Sequence, residues 1–295
     1  MTFDVSLATL ASQVFTGLVL GTIYVLLALG LSLIFGLLTV VNFSHGSFYM
    51  LGAYFGFFVL GQTGNFWLAL VVAPLLLGVV GVVVERWLIR PLYGRSIDDP
   101  LLMTFGLSLV LIEAARLAWG KMGLAFDPPP ALAQAVDLGF TYFPAYRLFV
   151  IGATAAVVLA LWLFLGRTTL GLVIRAGTRD ALMVRALGLD LNRIWLLVFA
   201  IGCALAGLAG VLAAPMRGVY AEMGVTIVIE SFVVVVVGGM GSLAGAVVAG
   251  LLLGEVVSLT TLLAPKMADI VVFLVMALVL LVRPSGFFGE AGLLE

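Results

Sequence analysis

Long apolar runs separated by short polar clusters set the pattern of this chain. Read with a window near 20 residues, they fall at about 14–37, 43–61, 66–88, 100–119, 146–165, 194–214, 226–241, 243–262 and 268–283. Runs of that length predict membrane-crossing helices, so the expectation is an all-α, polytopic membrane protein with about eight to nine embedded helices in a single domain over 1–295. The runs at 226–241 and 243–262 are divided only at Ser242, and the first is short for a span. Two full crossings and a pair of half-helices entering and leaving by one face are both open, and both leave the other connections where they are. The residues ahead of position 14 extend the first span or form an interfacial helix.

Charge orients this map. Arg86, Arg90 and Arg95 lie between the third and fourth runs, and Arg167, Arg175, Arg179, Arg185 and Arg193 between the fifth and sixth. Arginine-rich connections stay in the cytoplasm, so both are expected inside, with the C-terminus inside, the N-terminus outside and the proline-rich 117–145 connection external. Composition agrees with the membrane assignment: 64% of residues are hydrophobic, 10% are charged and the mean hydropathy is +1.29. The net charge of −1 supplies no basic face for nucleic acid and no polybasic lipid cluster. The N-terminus has no positive n-region, and its apolar run exceeds that of a signal peptide, so it is expected to be retained.

Chemistry is scarce. There is no G-x-x-x-x-G-K-[ST], so the chain does not cradle ATP phosphates by that device. One histidine (His45) and one cysteine (Cys203) leave no metal spacing and no nucleophile with its base, so neither a metal, a cofactor nor an enzyme activity is expected. Cys203, in an apolar run, reads as a small packed side chain. Small-residue pairs at Gly17/Gly21, Gly52/Gly56, Gly241/Gly245 and Gly250/Gly254 have the spacing that lets helix backbones approach closely in lipid. Asp98 and Asp99 before Pro100 predict the start of the fourth helix, Glu113 and Arg116 a local i, i+3 pair, and Glu85 with Arg86 an interfacial position.

Polarity inside the apolar runs marks the candidate pathway. "NFSHG", Asn42 to Gly46, carries good N-cap residues in Asn42 and Ser44 ahead of a helix. Either it is a wet loop between two spans, or it is a break at membrane depth whose free N–H groups and positive helix end suit a passing carboxylate. "GGMGS", with Gly238, Gly239, Gly241 and Ser242, interrupts a later run in a similar way, so the two breaks look like equivalents in a weak internal repeat, which favours the pathway. His45 then serves as a neutral hydrogen-bonding group. Glu230, followed by Ser231, would be costly facing lipid, so it is either a wet residue near the external surface or a polar group in the gate. The 167–193 connection reads as one or two short amphipathic helices broken at Gly188.

Several of these stretches carry a resemblance. "RALGLDLNRIW", with Arg185, Ala186, Leu187, Gly188, Arg193 and Ile194, resembles the cytoplasmic coupling-loop motif of ABC-importer permeases. The acidic residue that opens that motif is replaced by Leu182, and Asp180 is the nearest substitute; Arg175, Arg179, Asp180, Arg185, Leu187 and Gly188 are therefore the candidate coupling residues. "GLSLIFGLLTVVNFSHGSFYMLGAY" resembles the N-terminal signature of permeases of branched-chain amino acid ABC transporters. Further matches are "RPLYGRS", "LMTFGLSLVL", "VVVVVGGMGSLAGAVVAGLLLG" and "VRPSGFFG", so the resemblance runs from about residue 17 to 289. It implies a prokaryotic inner-membrane permease that pairs with a second related permease, two cytoplasmic ABC ATPases that use the ATP, and an external solute-binding protein. The solute implied is a branched-chain or related small amino acid, with urea or short amides as the alternative because relatives with the same signature carry them.

Overall fold

The structure is a computed structural model that describes residues 6–38, 40–96, 98–139 and 141–289. Eleven α-helices are described: α1 Leu7–Leu38, α2 His45–Thr63, α3 Phe66–Val84, α4 Asp98–Trp119, α5 Ala145–Arg167, α6 Thr169–Arg179, α7 Ala181–Ala186, α8 Leu191–Arg217, α9 Met223–Gly238, α10 Leu243–Leu263 and α11 Ala268–Val282. Two short strands, β1 Ala135–Asp137 and β2 Tyr142–Pro144, pair antiparallel in the 117–145 connection. Seven described helices are long and apolar enough to cross a membrane: α1, α3 with the turns that continue it to Leu92, α4, α5, α8, α10, and the Pro265–Val282 stretch that contains α11. With α2 and α9, each predicted apolar run is a helix. The protein is all-α and polytopic.

The long α1, about 48 Å at 1.5 Å per residue, is the hub, its residues from Thr22 to Ile34 buried without interruption. Glycines set how near its neighbours come. A Cβ on Gly21 would lie 2.9 Å from Leu251 Cα, and one on Gly250 would lie 3.0 Å from Val25 N, so α1 and α10 touch backbone to backbone. The predicted pairs at Gly17/Gly21 and Gly250/Gly254 are therefore one interface within the chain, driven by close van der Waals contact. Gly52 and Gly56 do the same for α2 against α8 at Gly207 and Val211. Cys203 is fully buried, its sulfur 2.9 Å from where a Cβ on Gly81 would sit, the packed role its apolar setting predicts.

The two faces of the bundle are marked by their connections. On one, which we call the hairpin face, Phe15 of α1 lies 5.5 Å from Phe143, and Leu124 and Val219 exchange backbone hydrogen bonds of 2.8 and 3.0 Å. On the other, the arginine-loop face, Leu37 near the end of α1 meets Gly177 of α6. Followed from helix to helix, α1 runs from the hairpin face to the loop face and the later helices alternate, which leaves α11 ending on the loop face. The N-terminal residues from Leu7 extend α1, settling their assignment. α9 is the exception in length: at 16 residues it is only about 24 Å long.

One charged residue is corrected. Glu85, expected at the interface, is fully buried; its carboxylate accepts from Arg90 Nη2 at 2.9 Å, Arg90 Nε at 3.2 Å and Tyr93 Oη at 3.0 Å. Arg90 also donates to the Asn192 carbonyl at 3.2 Å, and Tyr93 packs edge-on against Trp195 at 4.8 Å. The backbone widens into a π turn over Glu85–Ile89, which turns the i, i+5 pair inward, a spacing that α-helical periodicity does not anticipate. Burial beside Glu85 pushes the Tyr93 hydroxyl far above its usual pKa, so it stays a donor. Removing one partner of a buried charge pair strands the other, so Glu85→Ala should cost about 3 kcal/mol of stability, while Arg86→Ala, at an exposed neighbour, should change little. Thermal unfolding of the detergent-solubilised protein checks this; equal melting temperatures for the two variants would remove the anchor.

Candidate functional site

The "NFSHG" break is inside the bundle. Residues 40–44 carry no helix, and α2 starts only at His45. The ring Nε2 of His45 is 3.1 Å from the carbonyl of Leu27, and because a carbonyl can only accept, Nε2 carries the proton. Leu27 lies eleven residues before Leu38, about 16 Å along the axis from the end of α1. After α1 reaches the loop face, the chain therefore climbs back to that depth without helix before α2 begins. Polar side chains take over the backbone groups this exposes. Phe43 N–H donates to Thr104 Oγ1 at 3.1 Å, and Thr104 Oγ1 lies 3.3 Å from the Val41 carbonyl. Asn42 Oδ1 accepts from Ser44 N at 3.1 Å and Ser44 Oγ at 2.6 Å. The break is buried within the bundle, a setting in which irregular backbone can persist in a bilayer.

One detail differs from the sequence expectation. Ser44 stands at the N-cap of α2 but does not cap it, because its hydroxyl is turned to Asn42. No acceptor is recorded for the N–H groups of Gly46 and Ser47 among the described residues. Gly46 itself does not face open space: its first turn packs on the first turn of α9, where a Cβ would strike the Gly224 carbonyl and lie 2.7 Å from Val228 Cβ. Asn42, Ser44 and His45 are each fully buried, so the break is plugged in this conformation.

"GGMGS" is elsewhere. Gly241, with φ +79°, presses against Gly36, about 14 Å along α1 from the level of Leu27 toward the loop face. Gly238 and Gly239 are strapped by the C-terminal segment, where Phe287 N donates to Val237 O at 2.9 Å and Phe288 N to Gly238 O at 3.0 Å. Ser242 caps α10 by accepting from Gly245 N at 3.1 Å. A small cavity of about 190 Å³ joins this turn to Thr178 and Arg179. The two breaks are thus not brought together. "NFSHG" belongs to the middle of the bundle, and "GGMGS" to the root of the arginine loop, because α9 descends to the loop face before the chain reverses.

Glu230 and Ser231 sit on α9 between these levels. Ser231 is buried and donates to the Ile227 carbonyl of its own helix at 2.6 Å, which satisfies it. Glu230 is half-buried with Oε2 unpartnered, close to Tyr24 of α1 and to Arg217 at the end of α8. Tyr49 and Tyr220 complete this polar group around Arg217. Arg217 was not legible as a site residue, since an arginine closing an apolar run reads as a helix-end charge. Nearby, Arg116 pairs locally with Glu113 as the i, i+3 spacing predicts, and also with Glu222 in the α8–α9 connection. That guanidinium holds the Glu222 carboxyl below its usual range.

The arginine loop forms two helices: the expected break at Gly188 ends the second, and a further break at Asp180 divides the two. Asp180 caps α7, its Oδ1 accepting from Met183 N at 2.8 Å, and Gly188, with φ +81°, ends it. Gly188 thus supplies the left-handed turn that sends the chain back into α8. Ile174 and Val184 are buried, while Leu182, Met183 and Leu187 are exposed, Leu187 at 72%. Arg185 stacks over Trp195 at 5.0 Å, fixing α7 to the base of α8. Arg175 lines a second, apolar cavity between α1, α5 and α10, and Arg179 lines the small one beside Gly241.

Comparison with known proteins matches residues 13–280 to the family described as branched-chain amino acid transport system, permease component. The chain is 31% identical to the high-affinity branched-chain amino acid transport system permease protein BraD of Pseudomonas aeruginosa, over 94% of this chain and 95% of that one. It is equally 31% identical to LivH of Escherichia coli K12, of the same description, with the same coverage. It is 30% identical to the permease protein LivM of Escherichia coli K12, over 78% of this chain and 60% of that one.

Proposed function

The chain belongs to the family of branched-chain amino acid transport permeases, and from that premise we propose that it works as one of two related permease subunits of an ABC importer in a prokaryotic inner membrane. The observation that carries this is the extent of the match, residues 13–280, which takes in the buried break, the arginine loop and nearly all the spans together. Similarity to both LivH and LivM supports a second, related permease as partner. The chain carries no phosphate-binding loop, so the energy comes from ATPase subunits. Their dock is the exposed apolar edge of α7, Leu182, Met183 and Leu187, flanked by Arg175, Arg179 and Arg185.

The cycle follows from these parts. An external binding protein delivers a branched-chain amino acid at the hairpin face. ATP-driven closure of the ATPases displaces α6 and α7, and Trp195, Tyr93 and the Glu85–Arg90 pair carry that displacement into α3 and α8. The "GGMGS" turn and the plugged "NFSHG" break respond at the loop side and the middle of the pathway. No covalent chemistry is assigned to this chain.

This scheme requires the arginine loop inside and the hairpin outside, the orientation that the arginine distribution favours. Cysteines placed at Arg95 and Gln134, with Cys203 replaced by alanine, should react with an impermeant maleimide from opposite faces of sealed cells. Labelling of both from one face would overturn the orientation. Co-purification of an ABC ATPase with the tagged chain should accompany it, and a chain that purifies without one while catalysing solute flux would instead be a self-sufficient channel.

A further inference from the structure

We propose that Arg217 and Glu230, with Tyr24 and Tyr49, form an intramembrane site for the zwitterionic head of an α-amino acid, the guanidinium taking the carboxylate and the Glu230 carboxylate taking the ammonium. The proposal rests on the importer reading above and names the residues that recognise its solute.

The arrangement is costly without a ligand. Arg217 ends α8 at Gly218, whose φ of +73° turns the chain, and an arginine there could reach the aqueous edge of the hairpin face. It is exposed there and has Tyr24, Tyr49, Tyr220 and Glu230 as its electrostatic neighbours. Arg217 is exposed and Glu230 half-buried, yet no ion pair closes between them among the described residues. The half-buried Glu230 carboxylate is the costly member, because a charge left unpaired in a low-dielectric body is expensive. Glu230 Oε2 has no partner, and neither has the hydroxyl of Tyr49, which is itself fully buried. Glu230 Oε2 is thus an unpartnered acceptor and the Tyr49 hydroxyl an unpartnered donor, and both lie within the electrostatic reach of Arg217. Asp269 of α11 is the other acid within reach of Glu230, and it adds to the negative side of the site.

The location suits delivery from the hairpin face. Tyr24 is three residues from Leu27 on α1, whose carbonyl holds His45, and Tyr49 is one turn into α2. A solute entering from the hairpin side therefore meets the charged pair just before the "NFSHG" plug. Arginine binds a carboxylate through two parallel hydrogen bonds, and the ammonium is matched by an acid and a tyrosine hydroxyl. Recognition falls on the part common to all α-amino acids, so leucine, isoleucine and valine pass alike. Urea and short amides carry neither charge, and they leave both ionised groups unmatched.

The test uses the assembled complex of this chain with its partner permease and ATPases, in detergent and without the binding protein. Saturation-transfer NMR, which reads weak binding, compares L-leucine with leucinamide, which lacks the carboxylate, and 4-methylpentanoate, which lacks the ammonium. The wild type should prefer leucine to both. Arg217→Gln should abolish the preference over leucinamide, Glu230→Gln the preference over 4-methylpentanoate, and Arg217→Lys should keep part of it. Uptake of leucine in proteoliposomes, with the binding protein present, should fall about tenfold or more in each Gln variant, the worth of one charge-assisted contact. If Arg217→Gln does not assemble, Glu230→Gln decides alone. A wild type that binds all three probes alike, or Gln variants with unchanged preference and uptake, overturns the site while leaving the importer reading in place. A wild-type complex that takes up no amino acid overturns both.

Discussion

Replacing Gly46 by leucine should disable the protein by breaking its fold at the start of α2. The residue is the point where α2 and α9 cross, and a Cβ there would strike the Gly224 carbonyl, lie 2.7 Å from Val228 Cβ and lie 3.0 Å from the Gly224 carbonyl carbon. Two of these neighbours are backbone and cannot rotate away, so the helices must separate. The buried Asn42–Ser44–His45 turn leads directly into this crossing and must shift with it. Overpacking of this kind costs about 3 kcal/mol, which should appear as a lower melting temperature and poor recovery of the complex. Gly61→Leu on the same helix is the control, because nothing lies within 4 Å of its Cβ position. A Gly46→Leu protein that is as stable as the Gly61→Leu protein but does not transport would show instead that position 46 opens onto the pathway.

The second large effect is expected at Leu187. An aspartate there should leave the membrane-embedded body folded, since the side chain is 72% exposed and makes little contact within the chain. With Leu182 and Met183 it forms the apolar centre of the α7 edge, where a charge would have to be desolvated by the docking ATPase. Loss of a central interface residue costs about 2 kcal/mol or more, so ATPase co-purification and ATP-driven uptake should both fall by more than about tenfold. Unchanged uptake by Leu187→Asp would place the dock elsewhere.

Much of this architecture is legible in the sequence, because hydrocarbon imposes one rule on each span: apolar side chains outside and every backbone group bonded within the helix. The apolar runs therefore coincide with the helices to within a few residues at most ends. Capping and glycine chemistry is legible where it is local, as at Gly188, the Asp98–Pro100 start of α4 and the Gly17/Gly21 pair. What is not legible depends on which residues meet across the bundle. Glu85 looks interfacial until the π turn is seen to face it inward onto Arg90. "NFSHG" and "GGMGS" look alike as breaks in apolar runs, but the first lies at the depth of Leu27 and the second at Gly36, because the chain climbs without helix over 40–44. Gly46, at the end of the first break, makes room for another helix. Arg217 gains its neighbours from α1, α2 and α9, which no local pattern around it announces.

ATP-driven leucine uptake into proteoliposomes tests the central claim most directly. The vesicles would hold this chain with the second permease and the ATPases, with ATP inside and the binding protein and labelled leucine outside. Uptake should require ATP and both permeases, be competed by isoleucine and valine, and be unaffected by urea. Uptake that proceeds without ATPase subunits, or that urea competes and isoleucine does not, would contradict it.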